Sequence, residues 1–152
     1  MEVNEFSMKL NNLLIDTYDV LQQVEEWKVK KNTHLNLTIS ELHLLEVIGK
    51  YGDEGASISD IANDLSFTLP TITVAINKLV KKGYVTKRKS EEDKRMVYVT
   101  LTKMGKKVDN VHRYIHLKIT REIAKDLEPD EQDALLRGLM KINSFFRQYL
   151  NN

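Results

Sequence analysis

The residues best suited to surface chemistry in this chain are cations, and they are concentrated. Residues 71–107 hold 11 Lys+Arg against 3 Asp+Glu, residues 1–70 hold 5 against 12, and residues 108–152 hold 7 against 7. The whole chain carries only +1. A near-neutral chain with one basic block attracts polyanions such as duplex phosphates, although a merely solvated basic face has the same composition. Where the block begins, Pro70, Thr71, Val74, Asn77, Lys78 and Lys81 fall on one side of a helix. Leu69, Ile72, Ile76, Leu79 and Val80 fall on the other side at 100° per residue. The outer side has no acid. Asn can bond both exposed edge atoms of adenine, Thr can serve several bases, and Val can touch a thymine methyl. Thr68, Pro70, Thr71, Thr73, Val74, Asn77 and Lys78 therefore form the candidate set for base edges in a major groove. Lys81 and Lys82 are better placed for phosphates.

A second basic element follows. In the polar run Lys89-Ser90-Glu91-Glu92-Asp93-Lys94-Arg95, Arg95, with Lys89 and Lys94 nearby, suits a narrow minor groove or its phosphates. Asp93 is expected to hold Arg95 in place through a charge-assisted bond.

Other chemistries find less support. There is no cysteine, which excludes disulfides, zinc–thiolate sites, thiol nucleophiles and thiol redox sensing. His112 and His116 stand four apart, which is metal-ligand spacing, and His34 and His43 are candidates to join them. No carboxylate cluster completes an evident site, and two histidines on a solvated helix side are more often just that. No nucleophile elbow, phosphate loop or HExxH is present, so no enzyme is expected. His43, between Leu42 and Leu44, reads as a packed or pocket-lining residue rather than a base. No cofactor is implied.

The elements that must position these residues are mostly helices. Residues 4–30 repeat Phe6, Leu10, Leu13, Leu14, Leu21, Val24 and Trp27 at three- and four-residue steps. Thr38 and Glu41 have capping-box spacing for a helix over 39–51, and Ser57 and Asp60 for a short helix to Leu65. Residues 66–68 form a turn. Thr68 is expected to cap the next helix, with Pro70 tolerated in its first turn and Gly83 past its end. Tyr84–Arg88 and Met96–Leu101 alternate as strands of a hairpin around the charged loop. Thr102 caps a long helix to Leu127, and Pro129 opens the last one. The fold class is mainly α with a small β-hairpin wing: a winged helix-turn-helix over 37–101, with 1–36 and 102–152 as a helical dimerisation region. The apolar runs are too short to span a bilayer, and the start, MEVNEFSMKL, lacks the apolar core of a secretory signal, so cytoplasmic residence is expected.

Ser57-Ile-Ser-Asp-Ile-Ala, Leu79-Val-Lys-Lys-Gly-Tyr-Val, Asp93-Lys-Arg95 and Leu101-Thr-Lys-Met-Gly105 resemble the MarR family of regulators. The resemblance implies a homodimer whose terminal helices intertwine, two winged domains on a pseudo-palindromic promoter site, and Arg95 as the wing arginine. Leu42-His43, Glu46-Val-Ile-Gly-Lys50, Thr68-Leu-Pro-Thr-Ile-Thr73 and the stretch from Arg88 to His116 are similar to the FabT-type branch. That branch implies a repressor of type II fatty-acid synthesis genes with acyl-acyl carrier protein as effector. Pro70 stands where that branch is expected to have glycine, so base contacts there should differ. A repressor released by a small aromatic or lipophilic ligand, or a zinc-responsive regulator, are the alternatives. Tyr18, Trp27, His43, Leu45, Ile48 and Val111 are candidate lining for an effector pocket, although ordinary core is the favoured account of each taken singly. Corepressor and inducer are both compatible with the residues.

Overall fold

The computed structural model describes residues 4–31, 36–91, 93 and 95–150. It divides into two compact units, residues 1–110 and 111–152.

The first unit opens with α1 (Glu5–Lys31) and α2 (Ile39–Lys50). The Thr38 hydroxyl accepts the Glu41 N–H, and the Glu41 carboxylate accepts the Thr38 N–H at 2.8 Å, which completes the expected capping box. Ser57 does the same for α3 (Ile58–Leu65) with Asp60. Ser57 is also the last residue of a strand, β1 (Ala56–Ser57), so the chain passes directly from sheet to helix. At two residues, β1 is too short for its alternation to be read beforehand. Ser66, at φ 55°, turns the chain, and the Phe67 N–H closes on the Ala62 carbonyl at 2.9 Å. This tight turn leads into α4 (Leu69–Lys81).

Gly83, at φ 79°, takes the left-handed conformation expected after the α4 end. The Tyr84 N–H bonds back to the Leu79 carbonyl, so β2 starts one residue later than expected, at Val85. β2 (Val85–Lys89) and β3 (Val97–Leu101) pair antiparallel, from Val85 opposite Leu101 to Lys89 opposite Val97. β1 adds on the far side of β3, giving the order β1-β3-β2.

The core gathers Leu45 and Ile48 of α2, Ile61 of α3, Ile76 and Leu79 of α4, and Val99 of β3, all fully buried. Leu69 and Val80, expected on the packing side of α4, are exposed. The stripe is narrower than the sequence suggested because only Ile72, Ile76 and Leu79 are buried there. The wing leads into α5 (Lys103–Lys125), where the Thr102 hydroxyl accepts the Gly105 N–H and donates to the Gly83 carbonyl.

The second unit holds the rest of α5 and α6 (Pro129–Leu150). The Gln132 amide donates to the Leu127 carbonyl at 2.9 Å and braces the connection, and the Glu128 N–H bonds the Glu131 carboxylate. No α6 residue is buried, and its stripe of Leu135, Leu139, Phe146 and Tyr149 is exposed. In the first unit, Phe6, Leu13, Leu21 and Trp27 of α1 are likewise exposed. Among the described residues, no helix is long and apolar enough to cross a membrane.

Candidate nucleic-acid interface

α4 docks through Ile72, Ile76 and Leu79 and turns its other side outward. Thr68, Pro70, Thr71, Val74, Asn77 and Lys78 are all exposed, and Val74 keeps 55% of its surface in solvent. An aliphatic side chain and two threonines thus lie in solvent on an acid-free helix face that the core does not use.

Thr68 occupies the N-cap position, but its hydroxyl makes no cap bond. It bonds the Thr71 hydroxyl at 2.8 Å instead. Pro70 removes one of the two N–H groups that a capping oxygen accepts from, and the Thr68 hydroxyl pairs with the Thr71 side chain rather than with the remaining one. Thr73 is half-buried, and its hydroxyl donates to the Leu69 carbonyl at 2.8 Å.

Asn77 is tied to the wing: its amide oxygen accepts a bond from the Lys87 ammonium at 2.6 Å. The amide oxygen keeps a second lone pair and the NH2 both donors, so a two-point contact to adenine can be made while the Lys87 bond positions the side chain. Lys87 was not among the expected residues. Its signal was strand alternation, since it follows the buried Val85 by two and so shares its face of β2. On the other face, Arg88 bonds the Glu54 carbonyl and lies over the Tyr98 ring, 5.2 Å from its centroid.

At the wing tip, the Asp93 carboxylate accepts the backbone N–H of Arg95 at 2.9 Å, and its own N–H bonds the Ser90 hydroxyl. Among the described residues no ion pair joins Asp93 to the Arg95 guanidinium. Asp93 thus shapes the turn, because a short carboxylate two residues upstream reaches the main chain first. Arg95 and Lys89 are exposed. Lys94 lies outside the described residues.

Lys82 has a different task from the phosphate contact expected of it. Its ammonium bonds the Asn36 carbonyl at 2.7 Å and both Glu41 oxygens at 2.8 Å, fastening the end of α4 to the start of α2. Burial alone would raise the Glu41 carboxyl. The Lys82 ammonium and the Thr38 N–H outweigh that and hold it below its ordinary value of 4.5. Lys106 is similarly paired with Asp53. Of the basic block, Lys78, Lys81, Lys89 and Arg95 face solvent, while Lys82, Lys87, Arg88 and Lys106 are engaged within the fold.

The candidate effector residues do not share one environment. Leu45 and Ile48 are fully buried in the core of the first unit, whereas Tyr18, Trp27, His43 and Val111 are exposed. Within the first unit, a Glu25 carboxylate oxygen and a His43 ring nitrogen lie within 4.8 Å of each other. Within the second, the Nε2 atoms of His112 and His116 are 3.2 Å apart. His34 lies outside the described residues.

A short helix, a tight turn, an outward-facing helix and a basic β-wing make a winged helix-turn-helix. The family model for the transcriptional regulators SarA/Rot matches residues 26–111. The chain belongs to that family, and with it to the MarR-like winged regulators. It is a DNA-binding transcriptional regulator. This SarA/Rot-type regulator is 32% identical over 120 residues to the HTH-type transcriptional regulator YfiV of Bacillus subtilis, covering 78% of this chain and 70% of YfiV. Among solved structures it is similar to Streptococcus pneumoniae FabT in complex with DNA, with 27% identity, a TM-score of 0.88, and coverage of 93% of this chain and 98% of that one. The fold is also that of the S. aureus MepR–DNA complex, at 20% identity, a TM-score of 0.73, and coverage of 94% and 98%.

Proposed function

We propose that this regulator is a cytoplasmic homodimeric repressor that occupies promoters of type II fatty-acid synthesis genes, with acyl-acyl carrier protein as its effector. One observation carries the reading: the acid-free outer face of α4 is hydrogen-bonded to a basic wing, in a fold that superposes over nearly all its length on FabT with DNA. Thr68, Pro70, Thr71, Val74, Asn77 and Lys78 meet the major groove. Lys89, Lys94 and Arg95 meet the adjacent backbone or minor groove. The exposed stripes of α1 and α6 support the second copy, because apolar faces of that size are covered in a stable regulator. In a two-fold dimer the half-sites would lie about 10 base pairs apart, one helical turn.

The test is which fragments of the source genome the pure protein retains, with and without acyl-acyl carrier protein. Recovery of fatty-acid synthesis promoters supports the proposal, and recovery of efflux or metal-uptake promoters overturns it. The same assay with Arg95→Ala should weaken binding by about 1–3 kcal/mol, and unchanged binding would remove the wing arginine from the mechanism.

A further inference from the structure

The two histidines of α5 are set more closely than a solvated helix side requires. His112 and His116 are one turn apart, and their Nε2 atoms lie 3.2 Å from each other. The rings meet edge to face, with centroids 4.5 Å apart and planes at 72°. His112 is buried and His116 half-buried. The two ring nitrogens thus converge on one point instead of diverging into water.

The geometry points to His112 and His116 as a two-imidazole site for a divalent transition-metal ion, with Zn2+ the natural occupant. Nitrogens 3.2 Å apart, each bonded to zinc at about 2.0–2.1 Å, subtend roughly 100–105° at the metal, close to a tetrahedral angle. The spacing therefore already matches that of two imidazoles on one metal ion, and binding would replace the contact between the two nitrogens. Imidazole nitrogen suits zinc, copper and nickel, whereas magnesium and calcium prefer oxygen. The chain has no cysteine, so a thiolate site for softer ions is absent. Two ligands leave the remaining coordination positions to water, carboxylate or further imidazole. A metal held there pins two consecutive turns of α5. The inference does not depend on which genes the protein regulates.

The test uses the full chain, stripped with a chelator. Zn2+ is titrated against a chromophoric competitor, and Co2+ is titrated with visible absorption as the readout. The expected result is saturable binding of one equivalent per chain. His112→Ala and His116→Ala should each weaken it by at least the roughly 10–100-fold seen when only an outer partner of a metal ligand is lost. His116→Gln, at the half-exposed position, is the second variant in case His112→Ala does not fold, and circular dichroism checks each protein. No binding at micromolar Zn2+ or Co2+, or equal affinities in wild type and the His116 variants, overturns the site.

Discussion

The winged region and the terminal helices meet the same requirement, covering an apolar stripe, in opposite ways. In α2, Leu42, Leu44, Leu45, Val47 and Ile48 are all buried by their own unit. In α6, with an equally regular stripe, nothing is buried. The winged region thus closes its core within one chain and can hold a reading surface rigid. The stripe of α6 awaits cover, and a second copy is the cover that the proposed function supplies. Amphipathicity predicts that a helix will pack, but not against what.

The largest expected effect separates the two regions. Leu79→Ala, in the fully buried core, should destabilise the winged unit by about 2–5 kcal/mol at any protein concentration, measured by urea unfolding. Leu139→Glu on exposed α6 should instead leave that transition nearly in place and weaken self-association at least about tenfold in sedimentation velocity, about 1.4 kcal/mol. A concentration-independent loss of stability in the α6 variant would break the comparison.

Next comes the fastening of α4 to α2. Glu41→Ala removes a capping partner and leaves the Lys82 ammonium without its carboxylate. The cost should be about 1.5–3 kcal/mol, the range for hydrogen bonds to charged groups. The pH dependence has a definite sign. The Glu41 carboxyl is held below its ordinary 4.5 in the folded state. The unfolded chain therefore binds its proton first as pH falls. The contribution is complete above about 4.5 and is lost on acidification through the lower folded value. In Lys82→Met this acid-side loss should shrink.

Gly105→Ala tests the junction between wing and α5. An added Cβ would clash with the Tyr84 carbonyl oxygen, which the Thr102 N–H already holds at 3.0 Å. Alanine gains at most about 1 kcal/mol in helix propensity, and overpacking costs about 1–3 kcal/mol, so a net loss in melting experiments is expected. The smallest effect sharpens the picture of the reading surface. Lys87→Met frees the Asn77 amide. It should lower DNA affinity by about 0.5–1.5 kcal/mol, the worth of one positioning hydrogen bond, and leave folding stability nearly unchanged.

Local chemistry alone determined much of this protein. The two capping boxes, the turn at Ser66, the left-handed Gly83, the hairpin and the basic block are written in residues at most a few positions apart, so short-range sterics and hydrogen bonding decide them. The acid-free face of α4 was legible for the same reason, since helix period places Thr71, Val74 and Asn77 without knowledge of the rest. What required the tertiary structure was the use to which each cation is put. Lys82 and Lys78 look alike in sequence, yet one is fastened to Glu41, 41 residues away, and the other faces solvent. Lys87 reaches Asn77 only because β2 runs beside α4. Pairing is decided by distance in space, and a long flexible side chain carries no local signal of which partner the fold will bring to it.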